Sequence, residues 1–191
     1  MSSARSGRVT VITGPMFAGK TEELIRRVRR AAIARRSVQV FTHAVDRRNR
    51  VDAVSSHTGL EFPSTSVGSA EELEAAVSPG TVLVAVDEVQ FFGPSLLETA
   101  DRLAQRGIDV VLAGLDVTFT GEPFEPLPAL MALAEEVEKL TAVCAVCGAD
   151  AIYHQRTSAS QAAPTELIGE HVGGLEKYEA RCRLHFVGNR R

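Results

Sequence analysis

Apolar residues along the chain follow two alternating rhythms. Short aliphatic runs, Val9 to Ile12, Val38 to Phe41, Val82 to Val86 and Ile108 to Ala113, are separated by stretches in which apolar positions recur at helical spacing. The helical stretches carry Leu24, Ile25 and Val28, then Leu73 and Val77, then Leu96, Leu97, Leu103 and Ala104, and last Leu130, Met131, Leu133 and Ala134. Continuous apolar strands suit a sheet covered on both faces, so the alternation predicts a doubly wound, mainly parallel α/β sheet. The first helix is expected to run to about Arg35, where Ser37 breaks it; Pro79-Gly80 ends the second, and Gly107 caps the third. The polar segment from His43 to Gly59 has neither period and reads as a mobile loop. From Leu140 the composition shifts toward cysteine, glycine and short β-like runs, which predicts a boundary near Thr141 between a main domain, 1–140, and a small one, 141–191.

With 191 residues, 45% of them hydrophobic, the chain can bury one core and carry a small appendage. A net charge of -3 gives no general pull toward nucleic acid or an anionic membrane. The cluster Arg26, Arg27, Arg29, Arg30, Arg35 and Arg36 reads as the solvated face of the first helix. No apolar run reaches the ~18 residues a membrane span needs, and Met1 to Arg8 lacks the apolar core of a secretion signal, so a cytoplasmic location is expected. Three cysteines in a reducing compartment point to metal or reactivity before disulfides.

Between the first strand and the first helix lies Gly14-Pro15-Met16-Phe17-Ala18-Gly19-Lys20-Thr21, a full match to the phosphate-loop pattern G-x-x-x-x-G-K-[ST]. Its glycines let the backbone curl around an anion while the helix start adds partial positive charge. In such a loop Lys20 reaches the β- and γ-phosphates of a nucleoside triphosphate and Thr21 holds magnesium. The apolar run ending at Val86 delivers Asp87 and Glu88 at a strand's C-terminal end, where open α/β sheets bind ligands. Asp87 has the Walker B position that orients magnesium. Glu88, pointing the other way, can face an acceptor and take its proton. Asp46, Arg48 and His57 lie on the polar loop, and the segment Leu115 to Phe124 is polar and aromatic in a way that packing alone explains poorly.

Cys144-Ala145-Val146-Cys147 is answered after a long excursion by Cys182-Arg183-Leu184-His185. Two pairs, each with two residues between the donors, suit a tetrahedral zinc, and four protein donors would make that zinc structural. The metal would clamp both roots of the segment between Gly148 and Arg181. The phosphate loop, remote in sequence, is expected to owe nothing to it.

The phosphate loop with Pro15-Met16-Phe17, the block Asp87-Glu88-Val89-Gln90-Phe91-Phe92, the Leu115-Asp116 to Pro123-Phe124 segment, and Gly173-Gly174-Leu175-Glu176-Lys177-Tyr178 together resemble the type II thymidine kinases, in order from about Val9 to His185. The resemblance implies a RecA-like P-loop NTPase sheet flanked by helices, plus a zinc-ribbon-like domain with a lasso loop. It also implies γ-phosphate transfer from ATP to the 5′-hydroxyl of thymidine or deoxyuridine, by a homotetramer that uses magnesium and structural zinc. Carried over by position, Glu88 is the catalytic base, Asp46 and Arg48 lie near the phosphates, and Met16, Phe91, Leu115, Phe119, Val172, Gly173 and Tyr178 surround the nucleobase. His185 stands where many relatives have a fourth cysteine, and His154 where some have threonine.

Two other classes compete. Asp87-Glu88 beside a zinc ribbon also suits a nucleic-acid-dependent ATPase, but the charge balance and the absence of a second motor domain speak against it. A GTP switch would need an Asn-Lys-x-Asp reader, and neither Asn49 nor Asn189 lies in one.

Overall fold

A computed structural model describes residues 6–45, 53–55, 61–157 and 177–188. Its centre is a six-stranded, all-parallel sheet made of β1 (Val9–Gly14), β2 (Val38–His43), β5 (Thr65–Val67), β6 (Leu83–Val86), β7 (Asp109–Leu115) and β8 (Glu136–Lys139), in the order β5-β2-β6-β7-β1-β8. Helix α1 (Lys20–Ile33) covers one face; α2 (Ala70–Ala76), α3 (Ser95–Gln105) and α4 (Leu127–Leu133) cover the other.

The strand pleat sorts side chains between two cores. Val11, Val84, Val86, Val110 and Leu112 face α2, α3 and α4, while their neighbours Ile12, Leu83, Ala85, Val111 and Ala113 pack on Leu24, Ile25 and Val28 of α1. Both sets are buried, which is why these strands read as unbroken apolar runs. Each of the valine, leucine and isoleucine side chains among them contributes about 1.5 to 3 kcal/mol of burial free energy.

Three pieces depart from the sequence expectation. Helix α1 stops at Ile33, and Arg35 turns the chain through a left-handed conformation, φ 56°. The segment expected as an irregular loop contains β3 (Ala53–Ser55), paired antiparallel with β4 (Glu61–Pro63). The sheet also gains two edge strands, β5 and β8, whose polar composition hides them. Strand β8 owes its place to pairing with β1 and to Arg27, which binds Glu23 on its own helix and Glu136 and Glu138 on the strand, each at 2.7 or 2.8 Å. Glu136 and Glu138, two residues apart, share one face of β8. Arg27 is thus a tie between layers, and Arg36 makes a similar tie to Asp109 at 2.5 Å.

Beyond Leu140 the described residues form two short antiparallel strand pairs, β9 (Ala142–Val143) with β10 (Asp150–Ala151), and β11 (Tyr153–Arg156) with β12 (Tyr178–Arg181). Among the described residues no helix is long and apolar enough to cross a membrane.

Candidate functional site

The phosphate loop leaves the C-terminal end of β1 and turns directly into α1. Two glycines make the turn possible. Gly14 has φ 146°, and a Cβ there would stand 2.4 Å from the Leu140 carbonyl oxygen; Gly19, at the N-cap of α1, has φ 83°. A glycine cannot cap a helix with a side chain, whereas α2 is capped by Ser69, which accepts from the Glu72 N–H at 3.2 Å, and by Glu72, which accepts from the Gly68 N–H at 2.6 Å. The N-cap residue of α1 therefore brings no side-chain acceptor of its own to compete with an anion. Lys20 folds back over the loop, its ammonium donating to the Pro15 carbonyl at 2.7 Å.

Thr21, in the first turn of α1, donates its hydroxyl to Asp87 Oδ2 at 2.9 Å, while Asp87 Oδ1 accepts from the Glu88 N–H at 2.9 Å. Burial pushes the Asp87 carboxyl up to about 7, with the charge of Glu88 adding to it; the Thr21 hydroxyl, the Glu88 N–H and the Lys20 charge pull the other way. A desolvated carboxylate beside a hydroxyl oxygen is a hard donor set that suits magnesium, and a bound cation would relieve that desolvation. Glu88 sits in a left-handed conformation, φ 54°, at the entry to a short 3-10 turn, Val89–Phe91.

Next to the loop lies a buried apolar cluster of Met16, Leu115 and Tyr178, with Phe17, Phe119 and Phe124 packed against it. Phe119 and Tyr178 lie 6.5 Å apart by ring centroid, tilted at 47°; the Arg156 guanidinium covers the Phe119 ring at 4.7 Å; and His154, fully buried, meets Tyr178 edge-on at 5.8 Å. Four of the residues expected around a nucleobase, Met16, Leu115, Phe119 and Tyr178, are thus brought together. Phe91 is outside this cluster, its ring 6.1 Å from that of His43. Asp46, Arg48, Val172 and Gly173 lie outside the described residues, as does His57.

Cys144, Cys147, Cys182 and His185 converge, with all four donor atoms within 4.8 Å of one another. Cys147 Sγ lies 3.8 Å from Cys182 Sγ, and His185 Nδ1 lies 3.3 Å from Cys182 Sγ and 3.9 Å from Cys144 Sγ. Zinc–sulfur and zinc–nitrogen bonds of usual length give tetrahedral edges of about 3.6 to 3.8 Å, so the donors fit that ion. Burial alone would raise the Cys144 thiol, but the backbone N–H groups of Cys182, Val146 and Cys147 outweigh it and bring it down to about 6, toward the thiolate a metal needs.

The expected independence of the phosphate loop from this cluster needs correction. Phe17 and Ala18 of the loop pack against Ala142, Cys144, Ala151, Ala180 and Cys182. Phe17 reaches them from a left-handed backbone, φ 66°, and also touches the Met16–Leu115–Tyr178 cluster. A second join lies at Phe186, which stacks on Tyr153 at 4.4 Å and fills space over Gly121, where a Cβ would meet the ring at 2.7 Å. Sequence reasoning gave no role to Phe17 beyond the phosphates, nor to Arg156 or Gln90. The one signal for Gln90 was a polar residue inside the apolar block after Glu88.

A cleft of about 630 Å³ lies at the opposite end of the sheet, lined by Arg8, Arg26, Arg27, Arg30, Arg36 and Asp109 among others. Much of its charge is already answered by Glu23, Glu136, Glu138 and Asp109, and it shares no residue with the loop.

A phosphate-loop motif at the end of a parallel strand, a buried aspartate at the end of β6 hydrogen-bonded to the threonine of that motif, and an attached Cys3His module that could hold zinc place the chain in the P-loop class of folds. Residues 7–186 match the thymidine kinase family model. The chain belongs to that family. It is 49% identical over 194 residues to a thymidine kinase of Deinococcus deserti, covering 96% of each chain, and 49% identical over 180 residues to one of Bdellovibrio bacteriovorus, covering 94% of this chain and 85% of that one. Domain III of the Thermotoga maritima replication initiation protein DnaA superposes with a TM-score of 0.41 at 15% identity, over 74% of this chain and 57% of that one, a likeness too slight to bear on function.

Proposed function

We propose that this chain transfers the γ-phosphate of ATP to the 5′-hydroxyl of thymidine, and of deoxyuridine, yielding the nucleoside monophosphate and ADP in a nucleotide salvage step. The observation that carries this reading is the contact of the phosphate loop, through Met16 and Phe17, with an apolar and aromatic cluster of the kind a nucleobase packs on. The phosphates lie along Gly14 to Thr21, with Lys20 meeting the β- and γ-groups. Asp46 and Arg48 are assigned to the same end of the site by resemblance. Magnesium arriving with ATP would be held by Thr21 and Asp87 and would neutralise phosphate charge. Glu88 accepts the proton of the 5′-hydroxyl as its oxygen bonds to the γ-phosphorus and the bond to the β-bridging oxygen breaks. Met16, Leu115, Phe119 and Tyr178 wall the base, and Phe91, Val172 and Gly173 complete the set by resemblance. Zinc on Cys144, Cys147, Cys182 and His185 would hold the roots of the lasso.

The same reading divides the chain into a nucleotide-binding part, 1–140, and a zinc part, 141–191, working as a homotetramer in the cytoplasm without nucleic acid or membrane. Incubation with magnesium-ATP and a panel of nucleosides, with the products separated and weighed by mass spectrometry, tests it. Thymidine monophosphate is the expected product. ATP hydrolysis stimulated by DNA, with no nucleoside phosphorylated, would overturn it, and light scattering would count the subunits.

A further inference from the structure

Gln90 is buried to 5% exposure, and both ends of its amide are occupied. Oε1 accepts from the Leu115 N–H at 3.1 Å, and Nε2 donates to Glu88 Oε2. The orientation of the amide follows from its partners, because a backbone N–H can only donate and an ionised carboxylate can only accept. The end of β7 is shaped for this crossing. At Gly114 a Cβ would stand 2.6 Å from Val89 Cγ2 and 2.8 Å from Gln90 Oε1, so any side chain there would drive the amide off the strand. The other end is fixed too, since the short turn is closed by Phe91 N–H to Glu88 O at 3.1 Å and Phe92 N–H to Val89 O at 3.1 Å.

Glu88 and Leu115 are the two residues this amide joins, and they serve different parts of the kinase reading, on which the inference rests. Leu115 belongs to the buried cluster with Met16 and Tyr178. In a nucleoside bound in a single conformation the base and the 5′-oxygen lie at a fixed separation. We propose that Gln90 is a positioning residue that fixes the proton acceptor Glu88 relative to the nucleobase wall at Leu115, so that a base seated in the cluster brings its 5′-hydroxyl onto the carboxylate. Displacement of a reacting group by ~1 Å costs on the order of 10²-fold in rate, so a short buried strut between the two points affects turnover directly.

The two ends of the strut can be cut separately. Gln90→Glu keeps an oxygen for the Leu115 N–H but sets a second carboxylate against Glu88; Gln90→Leu removes both bonds at similar volume. For Gln90→Glu, kcat is expected to fall about 10²-fold, with KM for thymidine and ATP within about twofold of wild type. Gln90→Leu is expected to lose kcat similarly and to raise KM for thymidine, but not for ATP. Should Gln90→Glu fail to fold, Gln90→Met replaces it, with the expectation stated for leucine. Wild-type kcat in Gln90→Glu or in both apolar variants overturns the proposal, as does a uniform loss in which KM for ATP and thymidine rise together in step with a falling Tm. Glu88→Gln, assayed alongside, separates the failures. Full turnover there removes Glu88 from the reaction and the strut with it, whereas its loss beside an unimpaired Gln90→Glu refutes the strut alone.

Discussion

Thr21 and Asp87 are hydrogen-bonded at 2.9 Å although the strands that deliver them, β1 and β6, have β7 between them. The contact is made over the top of β7, by the first turn of α1 on one side and the end of β6 on the other. Asp87→Asn keeps the size of the group while removing its charge. Calorimetric titration of ATP should then show little gain in affinity on adding magnesium, because the negative ligand is gone. A magnesium response equal to that of the wild type would exclude Asp87 as a ligand.

Glu88→Gln retains shape but cannot take a proton. Turnover is expected to fall by about 10²- to 10⁴-fold, the range usual for a lost general base, with ATP affinity preserved. Single-turnover phosphorylation is the measurement; near-normal rates would assign the proton to another group.

Phe119 is half-exposed and covered by Arg156, so its removal disturbs the core less than loss of the fully buried Tyr178. Phe119→Ala should raise KM for thymidine by roughly 10-fold or more, the value of about 1.5 to 3 kcal/mol of apolar contact, with KM for ATP little changed. Equal effects on both substrates would move Phe119 out of the base site.

The central strands were legible because burial on both faces writes itself into adjacent residues, as in Leu83 to Val86. The phosphate loop was legible because its chemistry is consecutive along the chain. Strand β8 was not: Glu136-Val137-Glu138-Lys139 has no apolar face, and what seats it is Arg27 on a helix over a hundred positions earlier. Gln90 and Phe17 were equally opaque. Each acquires its role from a distant partner, Leu115 for the one and the Cys144–Cys182 module for the other, and a local pattern carries no trace of such a partner.

Because Phe17 and Ala18 lean on the cysteine module, metal removal should reach both substrates. In Cys147→Ser we expect loss of zinc, loss of thymidine binding, and a smaller, measurable weakening of ATP binding. His185→Cys should keep the metal. Elemental analysis with separate titrations of the two substrates checks this, and full ATP affinity in zinc-free protein would mean that the Phe17 contact is incidental.

His43 is shifted toward its neutral form by burial. Its Nδ1 accepts from the Val45 N–H at 3.2 Å, leaving Nε2 to donate to the Gly68 carbonyl at 3.1 Å. Burial lowers its pKa from the usual 6.5, against the Gly68 bond and the Glu72 charge. The folded pKa is thus below the unfolded one, so the unfolded state binds the proton first and stability falls as pH drops through 6.5 toward the folded value. Denaturation in urea across that window should show wild type losing more stability than His43→Leu; parallel curves would mean that His43 does not contribute.

Strand β1 pairs on one side with Val110 to Leu115 and on the other with Glu136 to Lys139. Strand β1 precedes both of its partners in the chain and is therefore made well before it can be fully seated. At ordinary translation speeds of ~5 to 20 residues per second, Val9 to Gly14 must wait on the order of ten seconds for both neighbours to be made. Until then its apolar side chains and unpaired amides are open to whatever the nascent chain meets. A ribosome stalled before Glu136 would hold a phosphate loop whose supporting strand has no β8 to cover its outer edge, so slow codons placed just before Glu136 should raise aggregation or chaperone capture without altering any residue of the finished protein.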